Sequence, residues 1–345
     1  MTAPGSQDQS EIFRGTAGGS ALLRDARSTA GNNAAATPAF VLGEELADIA
    51  DDDERIVVLT ADLAKANRVT DFAERHPQRF FNVGIAEKNM VTIAAGMAAS
   101  GLVPYAATFS AFAALLCCEQ IRTDCAYTRM PVRVVGHHSG MSMGFYGTSH
   151  HSLEDLGIMR TIADLTVVCA TDANHLRAVL RASVDHPGAM YLRLGRGRDP
   201  EVYATVPELS FGTAIRLRDG ADVAILTTGS EVRPSLDAAA LLAADGIEAT
   251  VFDVHTVKPL DLEAVAAAAA LGTVVTVEEH NRTNGLGSAV AVALLEGGFG
   301  TVNFRRHGVP DEHVPIGPPA ALYAHYQLDA DGIAAVVRGT LQRVG

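Results

Sequence analysis

Residues 80–97 read F-F-N-V-G-I-A-E-K-N-M-V-T-I-A-A-G-M. The stretch opens apolar and extended and is interrupted at Gly84. From Ala86 onward it places Met90, Ile93, Ala94 and Met97 at helical spacing. This predicts an extended segment, a glycine turn and a helix with Glu87 in its first turn. An acid in a first turn complements the helix dipole whatever else it does. The flanks ask for more. Ile85, Ala86 and Met90 are apolar, and the following A-A-G-M-A-A-S-G is small enough to pack closely. A carboxyl so placed is desolvated and tends to hold its proton near neutral pH, the state needed to donate to a ring nitrogen.

On either side the chain alternates helix and strand. F-V-L-G-E-E-L-A-D-I-A from about Ala39 is helical and ends at Asp51-Asp52-Asp53. Ile56–Leu59 is a short apolar strand leading into T-A-D-L-A-K-A-N, and Val69–Arg75 is a short helix closed by Pro77. Val103–Thr108 is a strand running into the helical S-A-F-A-A-L-L-C-C-E-Q-I-R, and Val132–Val135 is a buried-type strand. The segment 136–151, G-H-H-S-G-M-S-M-G-F-Y-G-T-S-H-H, is too polar for an element interior. A loop beyond a strand end is where α/β folds carry function. Ser152–Arg160, Thr166–Cys169, Asp172–Asp185 and Ala189–Arg193 then read helix, strand, helix, strand. The strands lack period-2 alternation, which predicts a mostly parallel sheet covered on both faces.

The pattern lapses over residues 195–207 and resumes near Gly212, with strands at Val223–Leu226, Ala249–Asp253, Thr273–Glu278 and Val302–Arg306. The fold class expected is therefore α/β, with two doubly wound domains over 36–200 and 212–345 after a poorly ordered extension, 1–35, in which Ile12-Phe13-Arg14 could dock on a partner. The T-T-G-S-E and N-G-L-G-S turns are weak as phosphate motifs, because glycine before serine is ordinary strand-to-helix turn chemistry.

At 345 residues the chain is long enough for two such domains, and a hydrophobic fraction of 48% supplies their cores. The net charge of −13, with no Lys/Arg-rich run, argues against a nucleic-acid partner. Cys117, Cys118, Cys125 and Cys169 form no metal-ligand pattern and read as reduced core residues of a cytoplasmic protein. No charge-free run of about 18 apolar residues and no basic-then-apolar leader is present, so neither a membrane span nor a secretory signal is expected.

Three blocks taken together resemble thiamine diphosphate enzymes of the transketolase type: G-I-A-E-K-N-M (84–90), V-F-D-V-H-T-V-K-P-L-D (251–261) and V-T-V-E-E-H-N-R-T-N-G-L-G-S-A (275–289). The resemblance runs from about residue 37 to the end. It implies a pyrimidine-binding domain followed by a transketolase C-terminal domain. In that family the motif glutamate, here Glu87, hydrogen-bonds N1′ of the cofactor's aminopyrimidine and favours the imino tautomer that removes the thiazolium C2 proton. Phe109 and Phe112 match aromatics that stack on the pyrimidine, Leu115 falls where a third aromatic is usual, and Asp62 matches an aspartate near the thiazolium. His138 and His150 match two histidines of the substrate channel, which bind donor hydroxyls and the carbonyl oxygen and shuttle protons. His137 and His151 receive no role. Arg196 matches an arginine that grips the sugar phosphate, with Arg193 as a competing alignment. Each has an ordinary alternative: core aromatics at i,i+3, a turn aspartate, structural histidines, a solvated arginine.

Three departures touch the substrate side. Tyr146, in G-F-Y-G, replaces the aspartate of the family's G-E-D-G. Ala66 stands where a phosphate-binding serine is common, and an early arginine is missing near Pro38. They imply an unusual donor or acceptor, as in specialised metabolism. The family's G-D-G…N motif for Mg²⁺ and diphosphate is also missing, and no metal site is assigned to this chain. The resemblance thus implies the smaller subunit of a split transketolase, paired with a larger chain that carries the Mg²⁺ and diphosphate ligands in an α2β2 heterotetramer. It would move a two-carbon ketol unit from a ketose donor to an aldehyde acceptor, with a sugar or keto acid as the small-molecule substrate. Two other readings stay open: the β subunit of an acyl-transferring 2-oxo acid dehydrogenase, which needs a lipoyl carrier, and a non-catalytic regulatory subunit, which has no use for Glu87, Phe109 and Phe112.

Overall fold

The structure is a computed structural model and describes residues 38–196 and 200–342. The extension expected over 1–35, with its Ile12-Phe13-Arg14, lies outside the described residues. The first sheet is built from β1 (Ile56–Thr60), β2 (Phe80–Asn82), β3 (Val103–Phe109), β4 (Arg133–His137), β5 (Thr166–Cys169) and β6 (Met190–Arg193). The second contains β7 (Ile215–Arg218), β8 (Val223–Thr227), β9 (Ala249–Asp253), β11 (Thr273–Asn281) and β12 (Asn303–Val309). β10 (Thr256–Lys258) leaves the second unit and joins the first sheet. The strand orders are β10-β5-β6-β4-β3-β1-β2 and β12-β11-β8-β9-β7. All pairings are parallel except β10 on β5 and β7 on β9, both at sheet edges.

β1, β3 and β4 are buried at every position, as strands covered on both faces must be. Helices Pro38–Asp52 and Ala173–Ser183 pack on one face of the first sheet, through Leu42, Leu46, Leu176 and Leu180. Helix Glu87–Ala99 and the helical run 112–126 cover the other, through Met90, Val91, Ala94 and Ile121. That second core does not stop at the domain boundary. Leu156 and Val167 of the first unit and Leu226, Val254 and Leu286 of the second belong to one apolar cluster. Asp172, Asp261 and Asp329 cap three helices, accepting from His175 N, Ala264 N and Gly332 N at 2.8–2.9 Å. No helix among the described residues is long and apolar enough to cross a membrane.

Some expectations shift. The helix expected from Ser152 begins at Asp155, because Ser152 is held in a bridge to Gly140. The run after β3 contains π-helical turns at Phe112–Leu116 and Ile121–Ala126. Cys117, Cys125 and Cys169 are buried, but Cys118 is only half-buried.

Candidate active site

The first sheet places the site. From β1 the chain moves to β2 on one side, then returns to β3 on the other side of β1. The crevice at the carboxyl ends of strands beside such a switch is where open α/β sheets bind ligands. Asp62 follows β1, Glu87 follows β2, Phe112 follows β3, His138 follows β4 and Arg196 follows β6. Phe109 is the last residue of β3 and pairs with His137, the last of β4. Residues scattered over the sequence thus share one edge of one sheet.

Glu87 opens helix Glu87–Ala99, as the periodicity predicts, and is 8% exposed. Its carboxyl has no hydrogen-bond or ion-pair partner among the described residues. The helix packs on β3 and on the turn that carries Phe112. Burial pushes the nearby Cys117 thiol up to about 12, and the charge of Glu87 adds to that rise. The expected apolar flank is only half present: Met90 is buried, whereas Ile85 is 84% exposed.

Two turns beside Glu87 are tied together by a residue the sequence reading passed over. Asn82 Oδ1 accepts from Asp62 N at 2.9 Å and from Gly84 N at 3.1 Å, and Asn82 Nδ2 donates to Asp62 Oδ1 at 3.3 Å. Asp62 and Gly84 both have left-handed backbones, with φ of 60° and 76°. Asn67, fully buried, donates from Nδ2 to Ala107 O of β3 at 2.8 Å. Its only signal in the sequence is its place shortly after a strand.

Phe109, Phe112, His138, His150 and Tyr146 form one aromatic cluster. Ring centroids lie 5.6 Å apart for Phe109–Phe112, 4.7 Å for Phe109–His138 and 5.3 Å for Phe112–His150. Tyr146 lies 4.9 Å from His150 and is 59% exposed. π-helical turns such as Phe112–Leu116 recur at functional sites. Leu115 is 56% exposed on that turn. Burial lowers the pKa of His150. It lowers His138 too, helped by His137 and by the cations of Arg196 and Arg68. Arg68, absent from the sequence expectations, thus brings positive charge to the site. His151 is buried, and its Nε2 contacts Gly144 O at 3.3 Å within the loop.

The two arginine alignments separate. Arg193 is buried, paired with Asp155 at 2.7 Å, and donates to Ser152 O at 3.1 Å and Glu279 O at 2.9 Å. These contacts tie it into the interdomain joint. Arg196 is half-buried and donates to Ser142 O at 3.2 Å, in the histidine loop.

The second unit shapes that loop. Glu279 of β11 accepts from Met141 N at 2.7 Å, from Ser230 Oγ at 2.8 Å and from Tyr323 Oη. A β-carbon on Gly140 would meet the Glu279 carboxyl carbon at 1.9 Å. The neighbouring Glu278 accepts from Leu286 N at 2.6 Å and Gly287 N at 2.9 Å. Both weak phosphate turns are therefore filled by carboxylates of this chain, through Ser230 in one and through the backbone of N-G-L-G-S in the other.

Comparison with known proteins gives the lineage of the chain. Residues 35–200 match the pyrimidine binding domain of transketolase and residues 212–333 the transketolase C-terminal domain. One of the subunits of the apulose-4-phosphate transketolase of Phocaeicola vulgatus is 37% identical over 292 residues, which cover 84% of this chain and 93% of that protein. The 6-deoxy-6-sulfo-D-fructose transketolase subunit of a Clostridium species is 40% identical over 299 residues, 86% of this chain and 92% of the relative. Among solved structures, a split-gene transketolase described as an inactive β4 tetramer is 38% identical and superposes with a TM-score of 0.78, over 87% of this chain and 96% of its own.

Proposed function

The chain belongs to the transketolase family, and from that premise we propose that it is the small, pyrimidine-side subunit of a two-component, thiamine diphosphate-dependent enzyme that moves a two-carbon ketol unit from a ketose donor to an aldehyde acceptor. Glu87 carries the reading. It is the acid of a largely buried residue, with no partner for its carboxyl among the described residues and some exposure left to it, at the head of a helix packed on the strand and turn that bear Phe109 and Phe112. An unpaired carboxyl in so enclosed a place is open to a hydrogen-bonding ligand, and the amino-substituted ring of the cofactor suits both the carboxyl and the aromatic faces beside it. The bound cofactor supplies the carbon nucleophile.

The chain's own residues then divide the work. Glu87 hydrogen-bonds a ring nitrogen of the pyrimidine. Phe109 and Phe112 offer their faces to that ring. Asp62, held by Asn82, borders the cofactor, and Leu115 closes the wall with an aliphatic side chain. His138 and His150 bind substrate oxygens, and Tyr146 narrows the approach to His150. The names of the two relatives give their substrates a phosphate and a sulfonate. A terminal oxyanion on the present substrate suits Arg196, with Arg68 adding charge where the family's early arginine and serine are missing.

The Mg²⁺ and diphosphate ligands we place on a larger partner chain, in an α2β2 assembly. The test is reconstitution. Alone, the chain should transfer no ketol unit, and activity should appear on adding the larger chain. Full activity of this chain without it would refute the two-component reading, and turnover of pyruvate alone among the donors would favour acyl transfer.

A further inference from the structure

His137 has no part in the scheme above, yet its surroundings are specific. It ends β4, is fully buried, and shares a face of the strand with Val135. Successive residues of a strand point to opposite faces. His138 escapes that rule because its φ is 59°, in the left-handed region. The turn brings the two rings together, with centroids 4.4 Å apart at 40°, and puts Nδ1 of His137 in contact with Nδ1 of His138.

Two ring nitrogens in hydrogen-bond contact must be one N–H and one lone pair. Burial disfavours charge on both rings: it lowers His137 to about 3 and lowers His138 as well, and the cations of Arg68 and Arg196 press the same way on each. Each ring therefore carries one proton, and the contact admits two arrangements. The far nitrogen decides between them. His137 Nε2 is buried and has no partner among the described residues. Among buried backbone groups an orphaned N–H is rarer than an under-satisfied acceptor; the same preference applied to the ring favours the arrangement with the lone pair on Nε2 and the N–H on Nδ1.

We infer that His137 is a positioning residue that fixes the tautomer of His138: His137 Nδ1–H donates to His138 Nδ1, which leaves the single proton of His138 on Nε2. His138 then presents a hydrogen-bond donor to a substrate oxygen and is no base toward it, so base work in this cluster falls to His150. The consequence for catalysis rests on the transketolase reading; the tautomer does not.

The measurement is ¹⁵N NMR of the histidine rings in the full-length chain, alone and with the larger chain, assigned with His137→Phe and His138→Phe. Protonated and bare ring nitrogens resonate far apart, so each tautomer reads directly. The expected result is His137 protonated on Nδ1 and His138 on Nε2. The reverse pair, or a charged ring at neutral pH, overturns the proposal, and the wild-type spectrum decides this whether or not a variant folds. In the assembled enzyme, His137→Phe should lower kcat about tenfold, the scale of one lost hydrogen bond. Asn, whose amide can donate from nearly the same place, should restore most of it. Equal loss in both variants, with the His138 signals unchanged, would reduce His137 to packing. Should the enzyme show no ketol transfer at all, the spectra would still stand, and only the transketolase reading would fail.

Discussion

At the scale of single residues, Glu87 bears most of the argument. Glu87→Gln keeps the shape and removes the carboxyl. Exchange of the cofactor C2 proton in the assembled enzyme, followed by NMR, should slow by a factor on the order of 10² to 10⁴, the range for general acid–base groups. An unchanged rate would leave Glu87 a helix-dipole residue. Arg196→Ala should weaken binding of anionic donors by about 10- to 150-fold, from a charge-assisted contact of about 1.5–3 kcal/mol, and leave uncharged donors unaffected. Equal losses for both donor classes would remove Arg196 from the anion site. The motif around Glu87 was legible in the sequence because it is local. The choice between Arg193 and Arg196 was not, since it turns on Asp155 and on the backbone of Glu279, far along the chain. Asn82 went unread for a similar reason: an exposed asparagine gains meaning only once the Asp62 and Gly84 turns stand beside it.

At the scale of elements, strands with continuous apolar runs were readable, because burial on both faces writes itself into composition, whereas of the helices capped by Asp172, Asp261 and Asp329 only the first was read. β7 and β10 were not, being short edge strands whose partners lie elsewhere. The loop 136–151 looked functional in the sequence, but nothing in it announces that Glu279 holds it. Gly140→Ala tests that hold. Its φ of 62° and the 1.9 Å approach to Glu279 both oppose a β-carbon. Gly246, with φ of 78° and nothing within 4 Å, isolates the backbone cost. Gly246→Ala should destabilise by about 1–2 kcal/mol and leave kcat/KM intact. Gly140→Ala should cost more and lower kcat/KM at least about tenfold, as misplaced catalytic groups do; equal behaviour of the two variants would deny Glu279 its role. The interdomain joint has its own pH signature. Asp253 accepts from Thr171 Oγ1 at 2.5 Å and Tyr203 Oη at 2.8 Å, and burial pushes its pKa up to about 7. A carboxyl raised in the folded state binds a proton that the unfolded chain has released. It therefore costs stability progressively as pH rises from about 4 to about 7 and by a constant amount above that. Asp253→Asn removes this cost and shares every other titrating group with the wild type. Urea unfolding should show the variant gaining on the wild type as pH rises from about 4 to about 7 and holding a constant lead above that, with a slope of at most about 1.4 kcal/mol per pH unit. A difference independent of pH would place the Asp253 titration outside folding.

At the scale of the whole molecule, apolar side chains on and around the site wall are partly on the surface. Ile85, Leu115 and Leu116 are all exposed. One chain's sequence carries the pattern of a wall but not its other side, and on the two-component reading that side belongs to the partner. The two domains, by contrast, are bound more closely than a linker near residue 200 suggests. β10 pairs with β5 through Thr256↔Val168 and Lys258↔Val167, and Cys169 N donates to His255 O at 2.8 Å. A cut within the linker would therefore strip β5 of its outer neighbour and leave T-V-V-C as a bare sheet margin. Such a margin is β-branched, apolar and rich in unpaired backbone groups, a template for self-association. Residues 38–211 expressed alone should form sedimenting aggregates, and co-expression with 212–342 should return them to solution as a complex. If 38–211 were monomeric and soluble by itself, the borrowed strand would be dispensable. Otherwise the segment that carries Glu87 depends on its neighbour to remain dispersed in water.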